Sequence, residues 1–148
     1  MKALLFAVPV VVVSLFSPSA LAEEKTIKMK LVTKFLNEAA GGGHYFGVTY
    51  QQDGTVGSKD YFAKDAGIKD RFVGLSTYTF PDGSVTASFS GESYGNGRDK
   101  GNYVILAGTG AYAGAKGAGN FNGVGAKANS VKGIGVYDVT LNVSIQSQ

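Results

Sequence analysis

The sequence predicts an all-β protein of seven or eight short strands, a sandwich or, as the favoured form, a single antiparallel eight-stranded β-barrel. Three observations predict it. Apolar and polar residues alternate with period two in at least four segments, the mark of strands with one buried face. Turn-forming dipeptides separate those segments. No stretch beyond the first 22 residues carries a 3.6-residue apolar stripe of useful length.

Residues 1–22 read as a secretory leader. Lys2 supplies a positive start, Ala3 to Phe16 is almost wholly apolar, Pro18 breaks the run, and Ala20-Leu21-Ala22 has the small-x-small form of a cleavage site. The apolar run is shorter than the roughly 20 residues that cross a bilayer as a helix. Cleavage is expected after Ala22, giving an exported protein without a stable membrane anchor, secreted or periplasmic. What remains, residues 23–148, is the usual size of one domain and long enough to bury a core.

The first strand is expected over 25–36, with Ile27, Met29, Leu31, Thr33 and Phe35 on one face and Lys28, Lys30 and Lys34 on the other. Lysines on the wet face discourage edge-to-edge pairing. Ala39-Ala40-Gly41-Gly42-Gly43 is a connector, and a second strand runs over 44–51 to the Asp53-Gly54 turn. Residues 55–70 are polar and predict either one short strand around Tyr61 and Phe62 or a long loop. Residues 71–80 form the next strand. Pro81-Asp82-Gly83-Ser84 turns the chain back through Val85, Ala87 and Phe89, the clearest hairpin in the sequence. Residues 92–101, rich in Gly, Asn and charge, predict a loop. Strands follow over 102–107, 111–116, 119–124 and 131–146. Thirteen of the 22 glycines lie between Gly91 and Gly135. Glycine weakens a strand unless a bend or close backbone approach requires it, and small barrels need such bends. Tyr103, Tyr112, Phe121 and Tyr137 punctuate the segment, which separates it from a disordered tract.

Composition excludes several classes. The chain has no Cys, hence no disulfide, thiolate chemistry or lipid on an N-terminal thiol. Without Lys2 the excess of basic residues is two, too small for a nucleic-acid partner. His44 is the lone histidine, whereas a metal site needs three or four ligands, so no metal is expected. Gly108-x-Gly110-x-x-x-Gly114 has the look of a dinucleotide loop, but the small-residue run after it cannot form the helix that would hold a pyrophosphate. No cofactor is expected. Outer-membrane insertion is disfavoured by the first-strand lysines and by a C-terminus lacking an aromatic girdle residue. Asn142-Val143-Ser144 is formally a glycosylation sequon, placed within a strand.

The segment from Val104 to Phe121 combines a strand, the Gly108-Thr109-Gly110 turn, the aromatic Tyr112 and a small-residue stretch through Gly117. It resembles the plant allene oxide cyclases and dirigent proteins. The Asp82-Gly83-Ser84 hairpin and the Tyr137-Asp138-Val139 strand stand in the matching order, so the resemblance covers about residues 70–145. It implies an eight-stranded antiparallel barrel of the calycin type, often trimeric, with a mostly apolar cavity. It also implies chemistry inside the barrel, where the cyclases steer a pericyclic ring closure and dirigent proteins guide radical coupling or quinone-methide cyclisation. No motif assigns those catalytic positions one by one.

The residues themselves offer weaker candidates. Glu92, expected at a barrel mouth, is a desolvated acid or base in one reading and a rim charge paired with Arg98 or Lys100 in the other. Tyr45, Tyr78 and Tyr103 are candidate cavity-lining residues, because a phenol joins an apolar body to a polar tip. Arg71 is a further candidate that would project into the lumen from the strand it shares with Tyr78. The leading reading is a barrel holding a small apolar or aromatic ligand. A guide or isomerase acting on a reactive intermediate and a structural or adhesive surface protein are the alternatives.

Overall fold

The computed structural model describes residues 22–125 and 133–146. The leader therefore lies outside the described residues, Ala22 apart. Eight strands follow one another: β1 Ala22–Ala39, β2 Gly42–Gln51, β3 Val56–Asp65, β4 Arg71–Phe80, β5 Gly83–Tyr94, β6 Arg98–Gly110, β7 Lys116–Val124 and β8 Ile134–Gln146. Each pairs antiparallel with the next, and β1 pairs with β8 from Ala22↔Gln146 to Lys34↔Ile134, closing the barrel. Each of the eight strands thus has a neighbour on both sides, which removes the edges that open sheets must protect.

Alternation sets what lies inside. On β1 the buried face is Ile27, Met29, Leu31 and Thr33, as their spacing predicts; Phe35 reaches the rim, where a bulge shifts the register before Asn37. On β8 Val139, Leu141 and Val143 point inward, and β5 adds Val85, Ala87 and Phe89. Ring packing then fills the barrel axis: Phe89 meets Tyr61, Phe72, Tyr103 and Phe121 at centroid separations of 5.9 to 6.4 Å. These are separations at which aromatic quadrupoles attract.

Three expectations are corrected. Residues 55–70 hold a full ten-residue strand, β3; its alternation is masked in the sequence because a lysine, Lys59, occupies an inward position. Residues 92–101 are not a loop. β5 continues to Tyr94 and β6 starts at Arg98, joined by a turn in which Asn96 (φ 65°) and Gly97 (φ 67°) are both left-handed. That is the backbone a tight hairpin demands, and Asn-Gly is the dipeptide best suited to it. Of residues 111–116, 111–115 are not a strand but a compact turn, held by Tyr112 N–H to Thr109 O and Ala115 N–H to Tyr112 O, and Lys116 opens β7. Of the predicted 131–146 strand, 131 and 132 lie outside the described residues.

Some glycines make room for rings. At Gly101 a methyl group would strike the Phe121 ring, and at Gly91 the Phe72 ring. Inward glycine on one strand accepts the aromatic of its neighbour.

The two ends differ. At one, Tyr112 is buried to 1% exposure and packs on Phe80 at 5.5 Å between centroids. Its hydroxyl takes a 3.0 Å hydrogen bond from Lys25 Nζ, and that contact, more than nearby Asp82, raises the lysine's pKa. This end is plugged. The other end, the more open of the two, carries the turns after β1, β3 and β5, and Phe35 and Tyr45 there are only partly buried.

Candidate functional site

The distinctive chemistry lies inside the barrel on β3, where Gly57, Lys59, Tyr61 and Ala63 share the inward face. Lys59 is 3% exposed. Its Nζ donates to Tyr103 Oη on β6 at 2.7 Å, and Tyr78 Oη on β4 donates to the same oxygen at 2.8 Å. Four rings surround the nitrogen: Tyr61 at 4.2 Å to the centroid, Tyr103 at 5.0 Å, and Tyr78 and Phe89 at 5.1 Å. None of the ion pairs among the described residues includes Lys59. Burial pushes its pKa down to about 7, since a charge removed from water without a counter-charge is disfavoured. The ring faces offset part of that cost through cation–π attraction. Burial likewise drives the Tyr78 and Tyr103 phenols well above their ordinary range, so both stay protonated donors at neutral pH.

A second polar group stands nearer the open end. Asp99, on β6, accepts from Ser93 Oγ at 2.6 Å and from Tyr137 Oη at 2.9 Å. Burial first, and then the charges of Tyr61 and Asp99, hold Tyr137 far up. Tyr45, half-buried on β2, stacks on Tyr61 at 4.7 Å with 8° between the planes. From the open end inward, the lumen thus presents a carboxylate with a phenol, a stacked tyrosine pair, the Lys59–Tyr103–Tyr78 centre, and the Tyr112 plug. The wall formed by β8 and β1 is mainly aliphatic, with Val139, Leu141, Val143, Ile27, Met29 and Leu31. On β2 Thr49 is wholly buried, and its Oγ1 has no hydrogen-bond partner.

The predicted residues divide. Tyr45, Tyr78 and Tyr103 point into the lumen. Arg71 and Glu92 lie on the outer wall, opposite each other in the β4–β5 register. Glu92 binds Lys100 at 2.9 Å, with Arg71 at 3.9 Å, and the Lys100 bond holds its carboxyl below the usual range. These side chains border a shallow concavity of about 600 Å³. A second, of about 500 Å³, lies over Ser88 and Ser90 between Leu75 and Val104. His44 meets Asp60 at 3.0 Å, also outside. Gly108, Thr109 and Gly110 end β6; Thr109 Oγ1 shares a 2.7 Å hydrogen bond with Ser84 Oγ, and Gly110 takes φ 59°.

Lys59, Tyr61, Asp99 and Tyr137 escape sequence reasoning. The signal for Lys59 is its parity with Tyr61 and Ala63, and for Asp99 its parity with Tyr103. A charge at such a position reads as solvent-facing until the neighbouring strands are known.

No protein-family model matches the chain, and no curated protein does. Among solved structures it is similar to two pterocarpan synthase dirigent proteins. PsPTS1 is 11% identical with a TM-score of 0.62, the match covering 85% of this chain and 97% of that one. GePTS1 is 12% identical with the same TM-score, covering 89% and 98%. The likeness establishes the closed eight-stranded barrel of the dirigent proteins as the fold.

Proposed function

We propose that this barrel is an exported, dirigent-like binding or guiding module that takes a small aromatic molecule through its open end. Lys59, Tyr103 and Tyr78 form the polar centre of that site, and Tyr45, Tyr61 and Tyr137 supply aromatic surface above it. The observation that carries the reading is Lys59. A lysine in the interior of a barrel, without a carboxylate, costs stability that methionine at the same position would not. Uncompensated groups of this kind concentrate where a ligand is handled. The leader and the resemblance support export and self-association, as a trimer, as further parts of the proposal.

Mass spectrometry of protein purified natively from its own host tests it. Wild-type protein is expected to retain a small aromatic compound that Lys59→Met and Tyr103→Phe release. If neither the native protein nor titration with a panel of phenols and cinnamyl compounds gives binding, the reading falls. The dirigent likeness favours guidance of a reactive intermediate over storage. Oxidative coupling of a phenol in the presence of the barrel would then give non-racemic product, and racemic product would assign the site to binding alone.

A further inference from the structure

We propose that the molecule held in the lumen is an aromatic carboxylate, its anionic group bound by Lys59 and Tyr103. The inference rests on the lumen being a binding site, and it follows from a count of donors and acceptors there. An ammonium has three hydrogens, and Lys59 gives one to Tyr103 Oη. The others face ring surfaces rather than oxygen atoms. Tyr103 Oη receives two hydrogen bonds, from Lys59 and Tyr78, and neither uses the hydroxyl's own hydrogen. The buried Thr49 hydroxyl is unpartnered, on the strand beside Lys59. Lys59 and Tyr103 thus keep hydrogens that no oxygen accepts, and the Thr49 hydroxyl is free to donate or accept.

The chain's acids do not accept those hydrogens. Asp99 is already bonded to Tyr137 and Ser93. Asp60, Asp138 and Glu92 lie on the outer wall, with His44, Lys30 and Lys100 respectively. A carboxylate from outside would supply both the missing acceptors and the missing charge, in a medium where such a pair is strong. A ring attached to it matches the four faces around the ammonium. Because side chains fill the axis, the ligand's ring must take the place of one of them. Tyr45 is suited to yield: it is half-buried at the open end and holds one face of Tyr61 by stacking.

The groups facing Lys59 are Tyr61 on its own strand, Tyr78 on β4, Phe89 on β5 and Tyr103 on β6. Burial raises all three phenols well above their ordinary range, so the amine alone titrates near neutrality. A carboxylate binds the protonated amine. Its affinity therefore falls about tenfold per pH unit well above the amine's pKa, roughly 50-fold between pH 7 and 9.

Isothermal titration of the mature protein with cinnamate, cinnamyl alcohol and cinnamaldehyde, near pH 6 and pH 9, tests the proposal. Cinnamate is expected to bind at least tenfold more tightly than the alcohol near pH 6, and to lose that preference near pH 9. Lys59→Met, verified as folded by its thermal transition, should abolish the preference; Tyr103→Phe, which keeps the amine, should weaken cinnamate several-fold. If acid and alcohol bind alike at both pH values, the ligand class is wrong while the site stands. If none of the three binds, the site itself is lost. Borohydride trapping of the aldehyde on Lys59, without binding of the acid, would overturn the proposal in favour of imine formation.

Discussion

At the residue scale, Lys59 sets the protein's response to pH. Its folded pKa of about 7 lies below the 10.5 of an exposed lysine. Between these values the unfolded chain holds a proton that the native one does not, so native stability rises with pH across that window. Below pH 7 the full penalty is present, at most about 5 kcal/mol from the difference in pKa and less after cation–π attraction. Lys59→Met is therefore expected to raise stability near pH 6 by ~2–4 kcal/mol, with the gain fading as pH approaches 10. Urea unfolding at several pH values measures this, and a gain independent of pH would contradict the assigned titration. Tyr103→Phe should destabilise by ~1–3 kcal/mol, because it removes the acceptor that both Lys59 and Tyr78 use.

At the element scale, legibility follows side-chain parity. β1, β5 and β8 show clean alternation, so the residues alone mark them as strands; β4 reads as a strand whose two faces are both partly apolar. β3 is legible only as a short strand around Tyr61 and Phe62 or a long loop, because Lys59 and the outer Phe62 exchange the types expected inside and outside. The join of β5 to β6 carries its signal in Asn96-Gly97, obscured by the charges of Glu92, Arg98, Asp99 and Lys100, which are outer-wall and rim residues of two long strands. Of the site, the tyrosines are legible as a class, since phenols suit lumens. Arg71 and Glu92 mislead because a single-strand pattern does not reveal which face curves inward. Glycine adds an element-scale prediction. Gly101→Ala places a methyl group against both Phe121 and the β5 backbone at Ser90. It is expected to cost ~1–3 kcal/mol, the range for overpacking a tight interior. An unchanged unfolding midpoint would show that the ring and strand yield freely.

At the scale of the whole molecule, stability depends on a contact between the chain's two extremes. β1 and β8 pair through thirteen register positions, so the barrel is incomplete until its last strand arrives. A chain stopped after Gly133 would expose the edges of β1 and β7 along with the aliphatic wall of the lumen. It is expected to elute as aggregate on size exclusion and to lack a cooperative thermal transition. A monodisperse, cooperatively melting product would show that seven strands suffice.

The crowding of phenols around one amine also gives the barrel an optical property. Tyr61, Tyr78, Tyr103 and Tyr137 ionise only at strongly alkaline pH while the lumen is dry. The chain has eight tyrosines and no tryptophan to mask them. Phenolate absorbance of the native protein should therefore fall short of its full value and climb abruptly when the barrel opens. The interior of this protein reports its own wetting, in a signal that needs no added dye.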